Sequence, residues 1–166
     1  MHIVTDQDRV HLRRCVELAA EAADNGDQPF GSLLVDANGL VLFEDRNRIS
    51  TGDPTLHPEF AIARWAASHL APEERGTCTV YTSGEHCAMC SAAHAMVGLG
   101  RIVYATSGDQ YRTWQREFGN VGAGAVAPLP INAVAPDIPV AGPEPSLAAA
   151  IRALHERVAR NREGTS

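Results

Sequence analysis

Two short stretches, Leu56-His57-Pro58-Glu59-Phe60 and Glu85-His86-Cys87-Ala88-Met89-Cys90, hold the most informative side chains of this 166-residue chain. They supply one imidazole, two thiolates and one further carboxylate. An imidazole and two thiolates suit Zn²⁺ and leave the fourth position of a tetrahedral site open. A water in an open zinc position becomes acidic, with a pKa of about 7. Glu59, two residues after His57, is well placed to move the proton of that water.

Both stretches are predicted to lie at the beginnings of helices. Cys87 and Cys90 are three residues apart, so their sulfurs share one helical face, and the exposed N–H groups of a helix start favour thiolates. In parallel α/β sheets, helices begin at the carboxyl ends of the preceding strands, where ligand sites gather. Four side chains from two remote segments are therefore expected to converge at one edge of a sheet.

Periodicity and turn residues predict the other elements. We expect a first helix over 6–25. Two strands follow, Phe30 to Asp36 and Leu40 to Asp45, joined by a hairpin at Asn38-Gly39. The chain then alternates between a helix over 58–70, a strand Thr77 to Thr82, a helix Cys87 to Val97 and a strand Arg101 to Thr106. The segment 119–166 is expected to be an extended stretch, with a short strand near Ala125 to Leu129, followed by a final helix over 147–162 capped by Ser146. Two helix–strand units after a hairpin indicate an α/β sheet with parallel crossovers.

Composition places limits on the class of protein. An apolar content of 45% over 166 residues predicts one domain, 1–166, with a substantial core. The net charge of −6 and the absence of an Arg/Lys block argue against a nucleic-acid surface. No apolar leader or long apolar run is visible, so we expect a cytoplasmic protein with reduced thiols and no membrane partner. Cys15 and Cys78 fit small buried hydrophobes.

Several motifs together resemble the cytidine deaminase superfamily. They are His57-x-Glu59 with Cys87-x-x-Cys90, Pro29-Phe30-Gly31 before a strand, Arg46-Asn47-Arg48 at a strand end, and Asp53-Pro54-Thr55, which is similar to bacterial guanine deaminases. The resemblance covers roughly residues 6 to 118. It implies a three-layer α/β/α sandwich with a central mixed five-stranded sheet, one Zn²⁺ per chain and a homodimer. Two residues depart from the family pattern: His86 replaces a usual proline, and Pro58 occupies a helix start, where proline is tolerated.

The resemblance also implies a chemistry. A zinc-activated water would attack an amidine-like ring carbon, while Glu59 takes the water proton, protonates a ring nitrogen and helps ammonia leave. The expected substrate is a small aminated nucleobase or nucleoside, with a guanine-like ring first and cytosine or an aminotriazine second. The chain's end, Asn161 to Ser166, lacks the aromatic residues with which some guanine deaminases complete the pocket. A tRNA adenosine deaminase and a non-enzymatic, zinc-stapled interaction domain remain as alternatives.

Five residues are candidates for substrate contact, each with a structural alternative. Asn47 would read a ring edge or cap a turn, and Phe30 would stack on the ring or pack in the core. His86 lies beside the predicted metal. Asp109 is near an acidic residue that guanine deaminases use to hold the base, or is a solvated loop residue. Trp114 would cover the pocket or join a local hydrophobic cluster.

Two more residues are left with alternatives. His94 lies four residues after Cys90, so Cys87, Cys90, His94 and His57 would close a structural Cys₂His₂ zinc site. Otherwise His94 packs in the interior or at a subunit contact. Glu85 is either an exposed loop charge or holds nearby backbone.

Overall fold

A five-stranded sheet forms the centre of the protein in a computed structural model that describes residues 3–122 and 124–163. The strands are β1 (Gly31–Val35), β2 (Val41–Arg46), β3 (Thr79–Gly84), β4 (Arg101–Thr106) and β5 (Val140–Ala141), in the spatial order β2-β1-β3-β4-β5. Strand β1 is antiparallel to both β2 and β3, whereas β3, β4 and β5 are parallel. The predicted mixed five-stranded sheet is confirmed.

Helices cover both faces of this sheet. They are α1 (Asp6–Asp24), α2 (Pro58–His69), α3 (Pro72–Thr77), α4 (Ala88–Met96), α5 (Gly108–Glu117), α6 (Ile131–Val134) and α7 (Pro145–Glu163). Helices α1, α5 and α7 pack together on one face, and α2 and α4 pack together on the other. The predicted three-layer α/β/α arrangement is therefore confirmed. No helix among the described residues is long and apolar enough to cross a bilayer.

Alternating side chains of the strands build two separate cores. Leu33, Tyr81 and Val103 belong to the cluster on the α1 face, together with Leu12 of α1. Their neighbours Leu34 and Val80 belong to the cluster on the α2 face. Successive strand residues point to opposite faces, so β1 and β3 contribute to both layers. Ser32 and Thr82 lie two positions from Leu34 and Val80, so their side chains also point towards α2.

The close packing of α1 on β1 explains the glycine of the Pro29-Phe30-Gly31 motif. A Cβ atom at Gly31 would lie 2.4 Å from Cβ of Leu18 and 2.5 Å from the carbonyl oxygen of Cys15. Only a residue without a side chain fits this approach of helix to strand.

The last third of the chain departs from the sequence prediction. The predicted strand near Ala125 to Leu129 is wrong: this segment has no regular structure and is exposed, and the fifth strand is Val140–Ala141, paired with Ile102 and Val103. Pro128 and Pro130 lack the N–H groups that a paired strand needs. Ser146 lies inside the first turn of α7, where its N–H donates to Oε1 of Glu144 at 3.2 Å, so it does not cap the helix.

Three helices have no counterpart in the sequence prediction: α3, α5 and the single-turn α6 (Ile131–Val134), which lies in the segment predicted to be extended. Helix α3 follows immediately after α2, with Pro72 as its first residue. Helix α5 begins after Ser107, whose hydroxyl accepts from the N–H of Gln110 while the Gln110 side chain accepts from the N–H of Ser107. This Ser-x-x-Gln capping box was the local signal for α5.

Candidate metal centre and active site

The predicted zinc ligands converge at the starts of two helices. His57 is the N-cap of α2 and Cys87 is the N-cap of α4, with Cys90 in the first turn of α4. Nδ1 of His57 lies 3.7 Å from Sγ of Cys87 and 3.6 Å from Sγ of Cys90, and the three ligand atoms are all within 4.8 Å of one another. A tetrahedral zinc with ordinary Zn–N and Zn–S bonds separates a nitrogen and a sulfur by about 3.5 Å. The donor set therefore fits zinc in both chemistry and spacing.

The protonation of the two cysteines agrees with metal binding. A hydrogen bond from the thiol of Cys90 lowers the pKa of Cys87 to about 4, and the neighbouring His57 adds to the effect. The same contact, together with burial, raises the pKa of Cys90. Its hydrogen bond with Cys87 raises the pKa of His57. Cys87 is therefore the more readily deprotonated of the two thiols, and both would bind a metal as thiolates.

Glu59 is held beside these ligands without joining them. It is the second residue of α2 and only 6% exposed. Its Oε1 accepts hydrogen bonds from the hydroxyls of Thr82 at 2.9 Å and Ser32 at 3.2 Å, while Oε2 lies 3.8 Å from Sγ of Cys90. One carboxylate oxygen is therefore anchored and the other faces the metal ligands. Burial raises the pKa of Glu59, which prepares it to take up a proton.

Sheet register brings the two anchoring hydroxyls together. Ser32 of β1 is paired with Thr82 of β3, and their hydroxyl oxygens are 2.8 Å apart. Both side chains point to the face on which α2 packs. These two residues had no role in the sequence prediction, although polar side chains within otherwise apolar strands were a signal for them.

His94 does not complete a four-ligand zinc site. Its Nε2 donates to the carbonyl oxygen of Gly100 at 2.7 Å, and the convergent ligand group among the described residues contains only His57, Cys87 and Cys90. The ring of His94 packs against the ring of His86, with centroids 5.5 Å apart. This geometry disfavours the closed Cys₂His₂ alternative and leaves His94 with a packing role.

A cavity of 1040 Å³ opens above the metal ligands. Its inner end is lined by Phe30, Asn47, His57, Glu59 and Cys87. Its outer wall comes from α5, the segment after it and the end of α7. The carboxyl ends of β3 and β4 lie next to this cavity, as expected for a ligand site in an α/β sheet.

The comparisons with known proteins agree with this geometry. Residues 5–106 match the family model described as the cytidine and deoxycytidylate deaminase zinc-binding region. The chain belongs to this family. The resemblance inferred from the sequence motifs, and the zinc-binding character of the site, are thereby confirmed.

Curated relatives within the family carry different activities in their names. The chain is similar to guanine deaminase of Bacillus subtilis (38% identity over 96 residues, 57% of this chain and 61% of that protein) and to a probable cytosine deaminase of Schizosaccharomyces pombe (34% over 106 residues, 64% of each). A tRNA-specific adenosine deaminase of Haemophilus influenzae also matches, with 32% identity over 107 residues, 64% of this chain and 61% of that protein. The matches span less than two thirds of these relatives.

A solved structure shows the same fold over most of the chain. Guanine deaminase from Nitrosomonas europaea superposes with a TM-score of 0.65 at 19% sequence identity, covering 93% of this chain and 87% of that one. At this identity the likeness concerns the fold alone.

Two of the predicted substrate-contact residues, Asn47 and Phe30, line the inner end of the cavity and also contact neighbouring residues. Asn47 is almost fully buried; its Oδ1 accepts from the N–H of Ile49 at 3.1 Å, so it caps a turn and leaves its NH₂ group as a donor. Phe30 lies with its ring edge against Tyr111 and His155, at centroid distances of 5.5 and 5.1 Å. Both residues therefore combine a structural contact with a place in the cavity wall.

His86 has an unusual environment. It lines the same cavity but is only 2% exposed, and neither ring nitrogen has a hydrogen-bond partner among the described residues. Burial lowers its pKa well below the ordinary histidine value, so the ring is neutral. Its role in substrate contact stays a prediction.

The other two candidates, Asp109 and Trp114, do not reach the inner end of the cavity. The side chain of Asp109 is 88% exposed at the cavity rim and forms an ion pair with Arg112, which favours the alternative of a solvated residue. Trp114 is buried in the core cluster on the α1 face and does not line the cavity. The prediction that Trp114 covers the pocket is therefore corrected: Tyr111, nearly one turn earlier on α5, forms that wall.

Glu85 holds backbone at the cavity rather than facing solvent. Its Oε2 accepts from the N–H of Gly108 at 2.8 Å, and its Oε1 accepts from the N–H of Ile131 at 3.1 Å. One carboxylate thus joins the starts of α5 and α6 to the loop that carries the metal ligands.

The Asp53-Pro54-Thr55 motif also has a structural role. Oδ1 of Asp53 accepts from the N–H of Thr55 at 2.8 Å and from its hydroxyl at 2.7 Å, and the N–H of His57 donates to the carbonyl oxygen of Thr55 at 2.7 Å. This turn orients His57 and does not line the cavity. It therefore says little about which ring the protein accepts.

Proposed function

We propose that this protein is a zinc-dependent hydrolytic deaminase of a small aminated nucleobase or nucleoside, with a guanine-like ring as the first candidate. One observation carries the proposal: the carboxylate of Glu59 is anchored through Oε1 and presents Oε2 to a His-Cys-Cys ligand set. A purely structural zinc site has no use for a buried acid in this place. The family relationship supports the same chemistry.

Metal binding and proton transfer would fall to different residues of the site. His57, Cys87 and Cys90 would hold the zinc, which would supply an acidified water as the nucleophile for a ring carbon. Glu59 takes the proton from the attacking water and delivers it to the adjacent ring nitrogen. It then takes the remaining proton of the hydroxyl on the ring carbon and passes it to the amine, which leaves as ammonia while the carbonyl forms. Its raised pKa suits these transfers, because a buried acid binds and releases a proton closer to neutral pH.

Two wall residues would hold the ring. The NH₂ group of Asn47 can donate to an acceptor on the ring edge. Phe30 is kept in place by Tyr111 and by the bare backbone of Gly84, where a Cβ atom would lie 2.7 Å from the Phe30 ring. A planar aromatic face next to an amide donor suits a heterocyclic base.

The choice of ring rests on relatives rather than on a residue of the cavity. The similarity to guanine deaminase of Bacillus subtilis favours a guanine-like ring. A cytosine-type or aminotriazine deaminase is the second candidate, favoured by the similarity to a probable cytosine deaminase. A tRNA substrate is disfavoured by the net charge of −6, because phosphate backbones need clustered cations.

Metal content and ammonia release test the proposal together. Elemental analysis of the purified protein should find one zinc per chain. Ammonia release should then be measured on guanine, guanosine, cytosine, cytidine, adenine and ammeline, with chelator-treated protein as the control. We expect turnover that is lost with zinc and restored by it, highest on a guanine-like ring. Zinc without turnover of any compound would support the interaction-domain alternative, and turnover of a tRNA stem-loop alone would overturn the small-molecule proposal.

A further inference from the structure

The ring of Phe30 is held by three neighbours from separate elements. Tyr111 of α5 and His155 of α7 meet it edge-on, with ring centroids 5.5 and 5.1 Å away and interplanar angles of 65° and 66°. Tyr111 and His155 also contact each other, with centroids 5.1 Å apart. The third neighbour is Gly84 of β3, where a Cβ atom would lie 2.7 Å from the Phe30 ring. The orientation of this ring therefore depends on α5, α7 and β3 together.

His155 is a buried histidine that the proposed chemistry does not use. It is only 3% exposed, and burial lowers its pKa to about 4, so the ring is neutral at pH 7. Besides Phe30 and Tyr111 it contacts the ring of Trp114, with centroids 6.1 Å apart. Edge-on contacts between rings have preferred geometries, so they restrict how each ring can turn. A neutral ring packed in this way acts on Phe30 through its shape rather than through charge.

His155 also lines a second, much smaller cavity of 10 Å³. The amide side chains of Gln28, Gln115 and Asn120 contribute to the lining of this cavity. The imidazole therefore meets aromatic rings and amide groups at once. This mixed environment explains how a polar ring is accommodated next to Phe30.

The position of Phe30 also affects Asn47. The backbone N–H of Asn47 donates to the carbonyl oxygen of Phe30 at 3.0 Å. Both residues line the inner end of the cavity above the metal ligands, next to Glu59. The two residues proposed to hold the ring of the substrate are thus joined directly, and His155 packs against one of them.

We propose that His155 is a positioning residue, which holds the ring of Phe30 in the orientation in which a substrate base stacks on it. The inference rests on the deaminase function proposed above, and it adds α7 to the parts of the chain that determine affinity for the base. Among the described residues, the lining of the cavity above the metal ligands does not include His155, so His155 acts through Phe30 and Tyr111. Stacking is present in the bound substrate and in the transition state alike, so weakening it raises KM and leaves kcat unchanged.

The test compares His155→Ala and His155→Leu with the parent protein on the compound that is deaminated best. Leucine fills much of the space but has no aromatic edge, so it separates loss of the ring contact from creation of a hole. We expect KM to rise about three- to tenfold in both variants, as for the loss of an aromatic contact, with kcat and zinc content unchanged. His155→Phe, which keeps a ring, should restore KM to within about twofold of the parent value. Ile151→Val, a buried change one turn earlier on α7, is the matched control and should leave KM unchanged.

A double-mutant cycle shows whether His155 acts through Phe30. In a Phe30→Leu background, His155→Ala should cause no further rise in KM, because the ring that His155 holds is gone. A full rise in that background would overturn the inference, and so would an equal rise in KM for Ile151→Val.

The outcomes also separate this inference from the deaminase function. Parent-like KM values in both His155→Ala and His155→Leu would overturn the positioning role and leave the deaminase function intact. If no compound is deaminated, the deaminase function fails, and calorimetry with guanine and cytosine then measures base binding directly. Absence of binding, or a Kd that His155→Ala leaves unchanged, would overturn the positioning role separately.

Discussion

Replacing Glu59 by glutamine is the sharpest test of the catalytic assignment. Glutamine has almost the same shape, and its side-chain oxygen can still accept from the hydroxyls of Thr82 and Ser32, which lie 2.9 and 3.2 Å from Oε1. It cannot take up a proton from water. The substitution therefore removes proton transfer and leaves the geometry of the site intact.

The expected loss in kcat follows from this role. A positioned general acid/base contributes about 10²–10⁴ in rate, which equals about 2.7–5.4 kcal/mol of barrier. Because Glu59 carries two protons in succession, we expect a loss at or beyond the upper end of this range. Glu59→Ala should abolish turnover as well. Zinc should stay bound in both variants, because Glu59 is not counted among the ligands.

Glu59→Gln should lower turnover without lowering the melting temperature. Burial raises the pKa of Glu59, which means that the folded state disfavours its charged form at neutral pH. A neutral glutamine removes this penalty, so Glu59→Gln should melt at the same temperature as the parent protein or higher. Ammonia release, elemental analysis and thermal melting measure the three outcomes, with Glu73→Gln, an exposed change on α3, as the matched control. A variant that keeps kcat within about threefold would refute the proton-transfer role, and loss of zinc would show that Glu59 is a ligand.

Four further outcomes can be measured. His94→Ala should keep its zinc, whereas a purely structural four-ligand site would lose it. Ser91→Ala should raise the free energy of unfolding by about 1 kcal/mol, because Oγ of Ser91 is buried with no partner among the described residues. Burial would raise the pKa of Asp8, but hydrogen bonds from Arg101, Thr5 and Tyr81 outweigh it and lower the pKa from 3.8 to about 2. The lowered pKa of Asp8 contributes about 2.4 kcal/mol to the free energy of unfolding, a contribution that is present above pH 3.8 and lost as the pH falls to about 2. In urea titrations, Asp8→Asn should therefore lower the free energy of unfolding at pH 7 and have no effect near pH 2. Light scattering at micromolar concentration should report a homodimer; a monomer would contradict this expectation from the family resemblance.

The metal centre could be predicted because short sequence motifs define its ligands. His-x-Glu and Cys-x-x-Cys spacings fix which side chains share the start of a helix, and alternation of strands and helices brings two such starts to one sheet edge. The hairpin at Asn38-Gly39 and the strand Arg101 to Thr106 were predictable for the same reason, since turn residues and periodicity act within a few positions.

Contacts between remote segments were not predictable in this way. The anchoring of Glu59 by Ser32 and Thr82 depends on the register of β1 against β3, and the role of Glu85 depends on helix starts 23 and 46 residues away. The two-residue strand β5 is too short to show a period. The burial of Trp114 could not be predicted for a similar reason. Tyr111 and Trp114 lie nearly one turn apart on α5, and Trp114 is buried because it packs in the core near His155 of α7.

The division of the site along the chain explains why its chemistry is easier to assign than its substrate. The ligands, Glu59 and both of its hydroxyl anchors lie within residues 5–106, the segment shared with the family. Tyr111 and the segment after α5, which line the rest of the cavity, lie beyond it. The shared segment thus contains every residue that the proposed zinc chemistry requires. Because α5 and the segment after it form the outer wall of the cavity, we expect substitutions there to change which substrate is accepted while leaving zinc binding intact.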